Sequence, residues 1–182
     1  MRRVIFVFFL GVLCSFQGTK FYKIKVNKQI SILLPSDFVP IPSEELASKF
    51  ISYRAPIAAY TNMNTEVELG INRSLSYWKE SDIEMMRAFY KSNIISLYDQ
   101  VRFLKQEIRI INKRKYVVFE YISTINPGEN SLLNEAPIVK YTYVQYCIIR
   151  DQIYVFDFTS PADQKDLWEP EAARIMESVK IK

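Results

Sequence analysis

Histidine is absent from this chain of 182 residues, which removes the commonest metal ligand and the commonest general base at neutral pH. Classical zinc sites and His-dependent nucleophile triads are therefore excluded. Cysteine occurs twice, at Cys14 and Cys147, so a chain without its first 18 residues keeps one thiol and can form no internal disulfide. Four glycines leave no Gly-rich phosphate loop, and no acid-rich calcium loop is visible. No cofactor and no metal are expected.

Charge of one sign is also scarce. Lys and Arg number 24 against 20 Asp and Glu, a net +4, and loss of Arg2 and Arg3 with the N-terminus would leave +2. The lysines are spread along the chain rather than gathered in one stripe, so nucleic acid is not an expected partner. What is present is an ordinary globular balance, 49% hydrophobic and 24% charged, in a length that buries about two thirds of its unfolded surface without help from metals or disulfides.

The N-terminus has the three-part layout of a secretory signal. Arg2 and Arg3 precede the apolar run Val4 to Leu13, broken only by Gly11, and polarity returns at Ser15, Gln17, Gly18 and Thr19. That run is about half the roughly 20 residues of a membrane-spanning helix. Residues 1–18 are expected to be a signal peptide, residues 19–182 a single domain, and the product exported to the periplasm or outside the cell, with no integral membrane anchor after cleavage. Cys14 follows Leu13, where a lipoprotein peptidase requires a small residue, so lipidation is not expected.

Alternation of apolar and polar residues marks the strands. Tyr22, Ile24 and Val26, a turn at Asn27-Lys28-Gln29, then Ile30, Ile32 and Leu34 give an opening hairpin. A short helix is expected to start at Ser43 with Glu44 and Glu45 in its first turn. A second hairpin joins the segments around Ile57 to Tyr60 and Thr65 to Ile71. Ser81 and Glu84 have the spacing of a capping box, and Ile83, Met86, Tyr90, Ile94, Leu97 and Val101 form one helical stripe. Four strands follow as an antiparallel meander, 104–111, 116–124, 138–149 and 152–159. Ser160, Pro161 and Asp163 open a last helix, with a break or kink expected near Glu169 because Pro170 interrupts it.

Three groups could carry function. Glu120 and Asp157 sit inside apolar strands and, if they shared a face, could act as an acid and base pair; otherwise each occupies the wetter side of its strand. Lys113, Arg114 and Lys115 form a dense cluster that could touch lipid headgroups or an acidic partner, or simply be a solvated hairpin tip. Tyr141, Tyr143 and Tyr146 crowd one strand, with Tyr116, Tyr121 and Tyr154 on its neighbours; exposed, they would mark a partner surface, and buried, they would be sheet packing. Cys147 reads as a small core residue with nothing obvious to activate it. Asn72-Arg73-Ser74 fits a glycosylation acceptor but is a common pattern.

The order hairpin, short helix, hairpin, long helix, meander and C-terminal helix resembles the Mog/PsbP-like fold, especially the bacterial DcrB-like and PsbP-like domains. The local matches are Ile32-Leu33-Leu34-Pro35-Ser36-Asp37-Phe38, the helix at Ser81 after the second hairpin, and Ile153 to Ser160 leading through a proline into a helix that ends Glu177-Ser178-Val179-Lys180-Ile181. The resemblance implies an α+β domain, an antiparallel sheet of about six to eight strands flanked by helices. It also implies a non-enzymatic role in binding proteins. The metal-associated histidines of plant PsbP have no counterpart here, and no site residue is carried over.

The function expected is that of a non-enzymatic exported binding or accessory module of the cell envelope, contacting an unidentified envelope or secreted protein. Two alternatives stand beside it. One is a small hydrolase using Glu120 and Asp157, which requires them to converge; the other is a carrier of a small apolar ligand, which requires a cavity between helix and sheet.

Overall fold

A computed structural model describes residues 19–42, 45–46, 56–127 and 136–182. Residues 1–18, where the signal peptide is expected, and Ser43 and Glu44 at the expected start of the short helix lie outside the described residues. Glu45 and Leu46 are helical, and Leu46 is buried with Ile41 and Ala59.

The described residues form ten strands and two long helices. β1 (Phe21–Lys25) and β2 (Ile30–Pro35) form the opening hairpin, whose turn is closed by Asn27: its side-chain oxygen accepts the backbone N–H groups of Gln29 and Ile30, each at 2.8 Å. β3 (Phe38–Pro40), β4 (Ala58–Asn62) and β5 (Glu68–Leu75) come next. Buried Asn62 organises the turn between β4 and β5 by accepting the N–H groups of Glu66 and Val67. After α1 (Ile83–Leu97) the meander runs through β6 (Gln100–Ile111), β7 (Arg114–Ile125), β8 (Ile138–Ile149) and β9 (Gln152–Pro161). α2 (Lys165–Glu177) and β10 (Lys180–Ile181) complete the chain.

The main sheet has seven strands in the order β3-β4-β5-β9-β8-β7-β6, every pair antiparallel. Two of its hairpins turn on two residues with positive φ, Asn112-Lys113 (48° and 70°) and Arg150-Asp151 (48° and 60°). Left-handed backbone at both central positions matches the twist of the flanking strands. The opening hairpin does not join this sheet. It pairs with β10 in a separate three-stranded sheet, β1-β2-β10.

Period-two alternation gives the main sheet two apolar faces. One is covered by α1, where Met86 and Ile94 meet Val117, Phe119, Tyr121, Val144, Tyr146, Ile148 and Ile153. The other is covered by α2 and β2, where Trp168, Ala172, Ile175 and Met176, with Ile30, Ile32 and Leu34, meet Tyr116, Val118, Tyr141, Tyr143, Phe156 and Phe158. Each fully buried Met, Ile or Phe contributes roughly 1.5–3 kcal/mol relative to exposure, so the layers are held mainly from these two interfaces.

Several sequence expectations need correction. The helix stripe ends sooner than its period suggests: Tyr98 is extended (φ −133°), Val101 lies in β6 and Leu97 is 68% exposed. The Ser81–Glu84 box does not form. A single 3-10 turn, Glu80–Asp82, precedes α1; Asp82 accepts the Lys79 N–H and the Ser81 hydroxyl, both at 2.9 Å, while Glu84 pairs with Arg87. At the other end Ser160 is a buried strand residue, and Pro170 sits inside an unbroken α2. Proline removes one backbone donor, but Asp166, whose carbonyl would have accepted it, is exposed to water along with Pro170, so the orphaned group remains solvated.

Candidate functional site

Glu120 and Asp157 do not form a pair. Glu120 stands opposite Tyr143 and Asp157 opposite Val144. Residues directly opposite in an antiparallel ladder share a face and neighbours along a strand alternate, so Glu120 points to the α2 side and Asp157 to the α1 side. The first is 1% exposed and fully engaged: Lys105 Nζ lies 2.7 Å from one oxygen and the Tyr141 hydroxyl donates to the other at 2.9 Å. Lys105 reaches this position because the register shifts between Phe103 and Lys105, a bulge that re-aims the side chains following it. Asp157 is half-buried, and its carboxyl is pushed up to about 6, chiefly by loss of water and opposed by Lys140.

The tyrosines are interior residues, which corrects their reading as a partner surface. Tyr141 and Tyr143 are fully buried and Tyr146 nearly so. They also divide between faces, Tyr141 and Tyr143 towards α2 and Tyr146 towards α1. Burial raises the pKa of all three, that of Tyr143 to about 12. Tyr146 stacks on Tyr90 of α1 with ring centroids 4.0 Å apart, so its function is packing. Cys147 is buried too, and desolvation pushes its thiol up to about 11.

Lys113, Arg114 and Lys115 occupy the turn between β6 and β7 and the start of β7. Lys113 and Lys115 are exposed. The turn is fixed to the C-terminal strand: Arg114 Nε donates to the Ile181 carbonyl at 3.2 Å and Asn112 Nδ2 to the Val179 carbonyl at 2.7 Å.

A surface site that the sequence did not single out lies between the end of β5 and the start of α1. Here an open cleft of about 460 Å³ is lined by Ser74, Leu75, Ser76, Tyr77, Trp78, Asp82, Tyr90 and Ile153. Tyr77 is fully exposed and Leu75 is 71% exposed; alongside, Met85 and Phe89 extend the apolar surface on α1, also exposed. The rim is held in place. Ser76 N–H donates to the Asp151 carbonyl at 2.9 Å, the Ser76 hydroxyl oxygen accepts the Trp78 N–H, and Trp78 leans on Phe89 with centroids 5.7 Å apart. Phe89 in turn contacts Tyr90, which stacks on Tyr146, so aromatic contact is continuous from the cleft into the core. The hydrogen bonds from Lys79 and Ser81 hold the Asp82 carboxyl below its usual range, leaving an anionic group on the lining beside Tyr77, Trp78 and Tyr90. Large rigid rings beside a charge can bind a partner through burial and hydrogen bonding.

Among the described residues no three Cys, Asp or Glu side chains come together as metal ligands, and no helix is long and apolar enough to cross a membrane. No family model matches the chain, and no curated protein matches it. Solved structures do. The solution structure of cyanobacterial PsbP (CyanoP) from Synechocystis sp. PCC 6803 is similar at 13% identity with a TM-score of 0.59, over 95% of this chain and 99% of that one. The Ran-binding protein Mog1p of Saccharomyces cerevisiae is similar at 11% identity and 0.57, over 90% and 96%. LpqN, involved in cell envelope biogenesis of Mycobacterium tuberculosis, is similar at 8% and 0.57, over 91% and 92%. Near-complete mutual coverage at such low identity is a likeness of fold: the chain has the Mog/PsbP-like α+β fold, a main antiparallel sheet flanked by helices.

Proposed function

We propose that this Mog/PsbP-like chain is a non-enzymatic binding or accessory module, exported to the cell envelope, that works by protein–protein contact through the cleft of Tyr77, Trp78 and Phe89. The observation that carries the reading is a rigid aromatic surface left in water, with Tyr77 fully exposed and Leu75, Met85 and Phe89 beside it. Exposed apolar clusters with a polar rim are characteristic of interaction sites, and aromatic anchors dominate binding energies at them. Two of the similar folds are named for such roles, one as a Ran-binding protein and one as a participant in cell envelope biogenesis. The signal-like N-terminus supports export.

The hydrolase alternative loses its premise, since Glu120 and Asp157 lie on opposite faces of the sheet. A carrier of apolar ligands would need a chamber beneath α1, and Met86, Ile94, Val117 and Phe119 fill that layer.

The test is affinity capture from the native envelope with the wild-type chain and with the Tyr77→Ala/Phe89→Ser variant, followed by mass spectrometry. Proteins enriched by the wild type and lost with the variant are expected, while the circular dichroism spectrum is unchanged and thermal unfolding falls only modestly, since Tyr77 is fully exposed and Phe89 half-exposed. An identical set of captured proteins would overturn the assignment to this cleft, and turnover of ester or glycoside substrates abolished by Glu120→Gln would overturn the non-enzymatic reading.

A further inference from the structure

Three clefts adjoin around the small sheet. One of about 400 Å³ is lined by Lys23, Lys25, Lys28 and Lys182 and by no acidic side chain. It shares Lys23 and Ser31 with a second of about 280 Å³ that adds Lys180 and Glu177. It shares Gln29 and Lys182 with a third of about 240 Å³ that adds Arg73 and Arg150. The shared lining makes one continuous surface with seven cationic side chains and a single side-chain carboxylate, and that carboxylate, Glu177, is already held by Arg109 at 2.8 Å. Among the described residues none of the seven takes part in an ion pair.

Register explains the grouping. Ser31 in the middle strand stands between Lys25 on β1 and Lys180 on β10, so two ammonium groups share one face with backbones roughly 10 Å apart, close to the screening length of about 8 Å at physiological salt. The docked turn between β6 and β7 brings Arg114 against the same C-terminal strand, with Lys113 exposed beside it in the turn. Seven cationic side chains without an ion pair among the described residues thus gather where the opening hairpin, β10 and the turn between β8 and β9 adjoin.

We propose that this face binds an anionic lipid bilayer through headgroup phosphates. The choice of partner follows from the residues. Five of the seven cations are lysines, compact hydrated charges on flexible stems, whereas discrete phosphates and carboxylates are read by arginine forks of fixed geometry. The clefts are open and shallow, and a laterally mobile anionic layer needs no fixed ligand geometry, only several charges within a screening length of one plane.

The experiment is co-sedimentation of the full chain with vesicles of phosphatidylcholine alone or containing about one third phosphatidylglycerol, at about 0.05 and 0.15 M salt. Binding to the anionic vesicles only, weakening as salt rises, is expected. The exposed quadruple variant Lys23→Gln/Lys25→Gln/Lys28→Gln/Lys182→Gln should lose at least about thirtyfold in vesicle affinity with an unchanged circular dichroism spectrum. A charge-matched control on the α1 side, Lys79→Gln/Arg87→Gln/Lys91→Gln/Lys140→Gln, should keep binding within about threefold. No binding at the lower salt, equal binding to neutral vesicles, or the same loss in the control overturns the proposal. Binding of soluble polyglutamate in place of vesicles also overturns it and assigns the face to an acidic protein. None of these outcomes depends on the aromatic cleft.

Discussion

Lys105 and Glu120 face each other across β6 and β7, 2.7 Å apart, with the carboxylate 1% exposed and the lysine side chain 36% exposed. One end of the pair is in water and the other is not, and the dry end also accepts the Tyr141 hydroxyl. Such an arrangement resists removal of the buried acid more than its neutralisation, because a buried hydroxyl without an acceptor costs about 1–3 kcal/mol.

Glu120→Ala should therefore destabilise the chain by about 2–4 kcal/mol, less than the loss of a wholly buried pair because the lysine can return to water. Glu120→Gln keeps an acceptor for Tyr141 and should cost about 1–2 kcal/mol. Urea unfolding of the two variants beside the wild type measures both; equal losses would mean that the tyrosine contributes nothing to the difference.

Asp157 gives stability a pH dependence of a particular sign. Its carboxyl titrates at about 6 in the folded chain against 3.8 ordinarily, raised first by burial and then by Glu68, and lowered by Lys140. Between those values the folded state holds a proton that the unfolded state has released, so this contribution is complete below 3.8, falls as pH rises, and is gone above about 6. Asp157→Asn should flatten that slope and stabilise the chain at pH 7 by on the order of 2 kcal/mol. Unfolding free energies collected from pH 3.5 to 7.5, roughly the window of the two titrations, would show the difference; a wild-type curve that rises through this window relative to the variant would contradict it.

Cys147 should be chemically silent in the folded chain. Its thiol is buried and pushed up to about 11, so little thiolate exists at neutral pH. Maleimide labelling at this site, located by peptide mass, is expected only as urea unfolds the protein, with the same midpoint as circular dichroism. Labelling at full rate without denaturant would show that the β8 strand opens locally.

The meander was legible because β6, β7, β8 and β9 are long enough to display their alternation, and the turns at Asn112-Lys113 and Arg150-Asp151 interrupt it clearly. β3 and β10 have three and two residues, too few to show any period. The faces of Glu120 and Asp157 depended on a cross-strand register in which the two are one residue out of step, information that no single strand contains. The same limit hid the aromatic cleft, since Tyr77 and Trp78 lie outside any periodic element and meet Phe89 only through the fold. The alternation did locate the strand of Tyr141, Tyr143 and Tyr146; it could not show that helices cover both sides of it.

The three-stranded sheet joins segments far apart in the sequence. β2 is bridged by β1 beside it and by β10 some 150 residues later, and Ser178 reinforces the closure by accepting the Leu33 N–H at 2.8 Å. β2 therefore cannot gain its second neighbour until Lys180 and Ile181 have been made and have returned across the whole meander to reach it. The small sheet is thus a clasp between segments about 150 residues apart, and long-range closure of this kind is slow, so it is expected to lock later than the local hairpins of the meander.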